Sequence, residues 1–258
     1  MSSQDRLRAT LTGLVAGLAG GLFGVGGGII LVPLLTGLFA LTQHQAHGTS
    51  LAAIGATAIT GLVVYGMHGH VDWTTAAIMG LASVLFARLG ARGASRVSKG
   101  ALTKAFALFL LVVALRLFWK APVPGGDELL AGPWRLAAIL GVGAAVGLLS
   151  GFLGVGGGIL AVPALTLLFG ESQQVAQGTS LAVILVTAPF GAMEHHRHGN
   201  VVLRLVPYLA LGAAIGAPLA SSLVQSLPQA TLARGFAIFL VANGVHTWVR
   251  AGRLAKKP

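Results

Sequence analysis

Residues 21–52 read GLFGVGGGIILVPLLTGLFALTQHQAHGTSLA, and residues 151–182 read GFLGVGGGILAVPALTLLFGESQQVAQGTSLA. At this offset of 130, 20 of the 32 positions are identical. The offset continues without a gap. His68-Gly69 matches His198-Gly199, Val71 matches Val201, and Phe106-Ala107 matches Phe236-Ala237. Two copies of one unit therefore make up the chain, residues 1–120 and 134–258. Between them, residues 121–133 hold Pro122, Pro124, Gly125, Gly126, Asp127 and Glu128, the composition of a linker.

Composition places both copies in a membrane. Of 258 residues, 55% are hydrophobic and 9% charged, whereas soluble domains carry about 25% charged residues. Mean hydropathy is +0.85. No Asp, Glu, Lys or Arg stands between Arg8 and Asp72, and none from Leu136 to Gly170. A membrane helix needs roughly 20 apolar residues, so each desert holds at least one. The fold class expected is an all-α polytopic membrane protein. Soluble enzymes, nucleic-acid binders and disordered chains are excluded as first readings. The net charge of +11 sits at the ends of apolar runs, where it sets topology rather than binding nucleic acid. The absence of cysteine excludes disulfides and thiolate metal sites. The N-terminal run resembles a signal peptide, but its pattern recurs mid-chain, so it is read as an uncleaved first membrane segment.

Each unit has four apolar stretches: 9–40, 46–67, 73–87 and 101–119, then 134–170, 176–193, 202–224 and 230–249. The first of each is long and interrupted by Gly-Val-Gly-Gly-Gly. Glycine costs about 1 kcal/mol per residue in a helix, so Gly26, Gly27 and Gly28, and likewise Gly156, Gly157 and Gly158, should break it. Each unit is then a glycine-broken first helix followed by three transmembrane helices. If the broken stretch goes in and returns, Arg6, Arg8, Arg88, Arg92, Arg96 and Lys99 fall on the cytoplasmic side with both termini. Arg116, Lys120, Arg135 and Arg234 then lie opposite. If it crosses once, the rich segment Arg88 to Lys104 falls outside, against the positive-inside rule. The first arrangement makes three crossings per unit and inverts one copy relative to the other, a recurrent transporter plan.

Irregular backbone at membrane depth survives only where protein buries it or a wet cavity borders it. A half-helix beginning near Gly28 or Gly158 directs free N–H groups and its positive dipole end at that place, an anion site. The turns Gly48-Thr49-Ser50 and Gly178-Thr179-Ser180 lie near the next helix starts, where Thr or Ser is a natural N-cap. The expected binding residues for a small anion are thus Gly26, Gly27, Gly28, Thr49, Ser50, Gly156, Gly157, Gly158, Thr179 and Ser180, with no cation needed. Gly13, Gly17 and Gly21, and Gly143, Gly147 and Gly151, are read as close helix contacts. The glycines are not a nucleotide loop, because no strand precedes them and no Lys-Ser or Lys-Thr follows.

Histidine is the other theme. His68 and His198 occupy matching positions and are candidates for proton coupling, since histidine titrates near neutral pH. His70, His195 and His196 lie nearby; used as metal ligands, these clusters would make the chain a metal-cation permease, the alternative reading. An intramembrane enzyme is disfavoured by the lack of paired carboxylates, a Ser/His/Asp set or HExxH at depth. No catalytic residue, resident metal or cofactor is expected; the partners expected are a small anionic substrate, the lipid bilayer and, in some assemblies, a second copy as a homodimer.

The duplicated G-x-G-G-G-x-x-x-V-P, at Gly24 to Pro33 and Gly154 to Pro163, resembles the TauE/SafE family. So do Gly-Thr-Ser-Leu at Gly178 to Leu181 and His-Gly-Asn-Val at His198 to Val201. That resemblance implies a multi-pass carrier in the cell inner membrane, coupled to an ion gradient. It implies sulfite, sulfoacetate or another organosulfonate as cargo. The first unit departs from the pattern at His70, where the second has Asn200.

Overall fold

The computed structural model describes residues 1–93, 99–119, 133–153 and 156–254. The expected linker, 121–133, lies outside the described residues except for Pro133. Ten helices are described: α1 (Ser3–Phe23), α2 (Gly28–Leu38), α3 (Gln43–Met67), α4 (Trp73–Gly93), α5 (Lys99–Trp119), α6 (Pro133–Leu153), α7 (Gly158–Leu168), α8 (Gln173–Arg197), α9 (Val206–Gln225) and α10 (Gln229–Leu254). No strand occurs among the described residues. The starts of α1, α2, α3 and α5 recur 130 residues later in α6, α7, α8 and α10. Each unit is thus a helix broken at its glycines and three more.

Among the described residues, five helical segments are long and apolar enough to cross a membrane: Gln43–Met67, Trp134–Gly151, Gln173–Arg197, Val206–Gln225 and Gln229–Val249. The outside of the bundle carries what lipid accepts. Val63, Leu81, Leu85 and Leu219 are all more than half exposed. Its interior is apolar too, with Leu, Val, Ile and Ala, but also buries Thr, Ser and Gln side chains such as Thr49, Ser50, Gln173, Gln177, Thr179 and Ser180.

Side-chain caps decide where helices begin. Ser2 and Asp5 form a reciprocal capping box on α1, and Thr42 and Gln45 form one on α3. Ser172 accepts from the Val175 amide at the start of α8. This corrects the expectation for the Gly-Thr-Ser turns. Thr49, Ser50, Thr179 and Ser180 are not caps; they lie inside α3 and α8, seven or eight residues beyond the true caps. Nothing between Thr42 and Gly48 breaks a helix, so α3 nucleates earlier than the Thr-Ser pair suggested.

The units interlock. α1 packs on α9, and α6 packs on α4. A Cβ on Gly13, Gly17 or Gly21 would collide with the backbone of Leu209, Ala213 or Ala217. Added to Gly143 or Gly147, it would collide with that of Met79 or Ser83. The ascending numbers on both sides make each pair parallel. The glycine stripes are contact surfaces, as read from their spacing. α3 and α8, the equivalent helices of the two copies, pack antiparallel. Gly61 lies against Leu181, and Gly191 against Leu51.

The path of the broken stretch follows from these contacts. α3 also runs parallel to α9, with Gly61 beside Ser221 and His70 bonded to Gln225. Hence α1 and α3 share a direction, and α2 must bring the chain back. Its 11 residues span about 16 Å at 1.5 Å per residue, half of a roughly 30 Å hydrocarbon core.

Candidate functional site

Both breaks form as the glycines dictate. Gly24 ends α1 in the left-handed region at φ 68°. Gly27 and Gly157 precede α2 and α7 at φ 82° and 77°, also left-handed, where a side chain is strained. The Gly27 carbonyl accepts from the amides of Ile30 and Leu31, and that of Gly157 from Leu160 and Ala161. The amides of Gly28, Ile29, Gly158 and Ile159 have no backbone bond among the described residues, and the positive dipole end of each half-helix points at its break.

The two breaks meet. A Cβ on Gly158 would lie 2.8 Å from the Gly24 carbonyl oxygen and 2.8 Å from Val25 Cα. The same two isoleucines press on both. A Cβ on Gly26 would be 3.2 Å from Ile184 Cδ1 and 3.7 Å from Ile54 Cβ. On Gly156 it would be 2.6 Å from Ile54 Cδ1 and 3.7 Å from Ile184 Cγ2. Ile54 and Ile184 are equivalents at the offset of 130, and both are fully buried. Sequence reasoning missed them, because an isoleucine in an apolar helix offers no contrast.

The carbonyls released at the end of α1 are capped by hydroxyls from other helices. Tyr65 Oη donates to the Gly21 carbonyl at 2.9 Å, and Ser180 Oγ donates to that of Gly24 at 2.8 Å. Tyr65 Oη also lies 2.9 Å from Gln177 Oε1. Gln177, from α8, underlies the first break so closely that a Cβ on Gly24 would fall 2.5 Å from its Cα.

The expected binding residues divide accordingly. Gly26, Gly156 and Gly158 lie where the breaks meet, and Ser180 is bonded at the first break. A Cβ on Gly27 or Gly157 would instead strike Ala16 of α1 or Val146 of α6. Ser50, its equivalent, is buried with Oγ unpartnered among the described residues. Thr49 and Thr179 serve a different contact. Thr49 Oγ1 accepts from the Val202 amide at 3.0 Å, and Thr179 Oγ1 accepts from the Asp72 amide at 2.9 Å. Gly48 and Gly178 admit the opposite unit's turn, since a Cβ there would strike the Asn200 or His70 carbonyl. The Gly-Thr-Ser of one unit thus holds the His-Gly turn of the other.

His68 and His198 do not approach the breaks. Each ends its helix, exposed, with Nδ1 against a carbonyl one turn back: Val64 at 2.8 Å and Glu194 at 2.7 Å. Because α3 and α8 are antiparallel, these histidines lie at opposite ends of the pair. Among the described residues no three His, Asp or Glu side chains gather as a metal site. At the joint of the units, Arg135 lies 3.9 Å from Asp72 and 3.5 Å from Glu171.

The profile described as "Sulfite exporter TauE/SafE" matches residues 9–247. The chain belongs to the TauE/SafE family. It is 30% identical to the probable membrane transporter protein YunE of Bacillus subtilis, over 90% of this chain and 93% of that one. A probable membrane transporter protein of Xylella fastidiosa is 29% identical, over 95% and 96%. The archaeal MJ0441 of Methanocaldococcus jannaschii, likewise named a probable membrane transporter protein, is 27% identical over 72% and 70%. No solved structure gives a significant match. The chain is therefore a multi-pass membrane protein of a transporter family, and the interlocked Gly-Thr-Ser and His-Gly contacts are how this TauE/SafE chain joins its halves.

Proposed function

We propose that the chain is a secondary transporter moving a small sulfur-containing anion, such as sulfite or an organosulfonate, across the cell inner membrane by alternating access. The observation that carries this reading is the meeting of two half-helix N-termini, each with amides that have no backbone bond among the described residues, where no Lys or Arg supplies the charge. Gly26, Gly27, Gly28, Gly156, Gly157 and Gly158 let an oxyanion reach the backbone. Ser50 and Ser180 add hydroxyls, and Thr49 and Thr179 hold the surrounding turns. The antiparallel pairing of α3 with α8 supports inverted units, and the distribution of Lys and Arg favours both termini on the cytoplasmic side. His68 and His198, one at each mouth, are placed to take up and release protons from opposite faces, which would couple the anion to a proton gradient.

Uptake of sulfite into proteoliposomes under an imposed pH gradient tests this. The native chain should accumulate sulfite, and taurine or sulfoacetate should compete. Gly27→Leu combined with Gly157→Leu should reduce uptake to background. Unchanged uptake in a variant with a native melting temperature would place the site elsewhere. Loss of transport on adding a chelator would instead favour the metal permease.

A further inference from the structure

α3 and α8 each carry a row of polar side chains along one face. On α8 it runs Gln173, Gln177, Ser180, Ile184, Thr187, and on α3 it runs Gln43, His47, Ser50, Ile54, Thr57. Alternating steps of four and three residues keep all five on one side of a helix. Every member of the α8 row is buried, as are Ser50, Ile54 and Thr57 on α3. Many of the buried polar atoms have no partner among the described residues. These are Nε2 and Oε1 of Gln173, Nε2 of Gln177, Oγ of Ser50 and Oγ1 of Thr57. Unpaired donors and acceptors in a membrane interior are costly, and a line of them marks where water or a ligand's polar atoms belong. The one apolar member of each row is an isoleucine, and those two isoleucines are the pair lodged at both breaks.

We infer that the translocation path follows these rows of α3 and α8 past the two breaks, and that Ile54 and Ile184 are its gate. This rests on the transport reading and adds to it Gln173 and Gln177 as path residues, together with the plug. Beside the first break, Gln177 lies against Tyr65 Oη through one carboxamide atom and leaves the other without a partner among the described residues. Between the breaks, two apolar side chains exclude water until they part, as hydrophobic constrictions do in channels. Neutral donors on either side bind an anion without trapping it.

The chain has no cysteine, so single-cysteine reporters have no background. Gln177→Cys is treated with a charged methanethiosulfonate from both faces of membrane vesicles. It is tested in the native chain, with Ile54→Ala plus Ile184→Ala, and with Ile54→Val plus Ile184→Val. Val63→Cys, exposed on the lipid side of α3, sets the baseline. The alanine pair should raise the reaction rate at position 177 roughly tenfold or more above that baseline. The valine pair, which keeps branched packing, should raise it less. Melting temperatures identify any background that has not folded, in which case the valine pair decides. Reaction at position 177 no faster than at position 63 in every folded background overturns the path. The reagent is not a substrate, so failed sulfite uptake would sink the choice of cargo while leaving this result standing.

Discussion

At the scale of single residues, glycine separates into two uses that spacing already hinted at. Gly13, Gly17 and Gly21 give their surface to α9, so Gly17→Val should overpack and destabilise by about 1–3 kcal/mol, read as a lower melting temperature in detergent. Gly55, also helical but with nothing within 4 Å of an added Cβ, provides the contrast. Gly55→Ala should leave stability equal or raise it by about 0.5–1 kcal/mol. A similar loss for both would mean that close contact is not the reason for the stripe. Tyr65→Phe tests the capping of the first break. It removes the closer of two hydroxyl donors to the buried Gly21 carbonyl, Ser221 Oγ remaining at 3.4 Å, so a loss of about 0.5–1.5 kcal/mol is expected.

Among the helices, the broken stretches were legible because three adjacent glycines have a cost no apolar context repays. The starts of α2 and α7 fall where that cost predicts. The Thr-Ser pairs were misread for a local reason: cap preference is a property of a short window, and Thr42 with Gln45 satisfies the backbone donors first. The partners of Thr49, Thr179 and Ser180 lie in the other unit, a contact no single window contains. Gln177 was missed for a related reason. The signal that would have found it is the four-three spacing of polar residues within an otherwise apolar helix. Thr49→Val and Thr179→Val should each leave an amide, of Val202 or Asp72, without its acceptor. Each should cost about 1–3 kcal/mol and the pair more, measured by thermal melting. An unperturbed double variant would show that the latch contributes nothing to holding the units.

For the whole molecule, the decisive relation is that α3 and α8, equivalent at the offset of 130, run in opposite directions. Single reporters at the two helix ends make this measurable. His68→Cys should react with an impermeant thiol reagent from one face of the membrane and His198→Cys from the other. Reaction of both from the same face would overturn the inversion. The exchange of α1 and α9, and of α4 and α6, between the units has a further consequence. Each half keeps the ridge whose groove belongs to the other, so a half alone leaves its glycine seam facing lipid. A gene encoding only one half would yield a product able to complete itself solely by pairing with a sister inserted upside down.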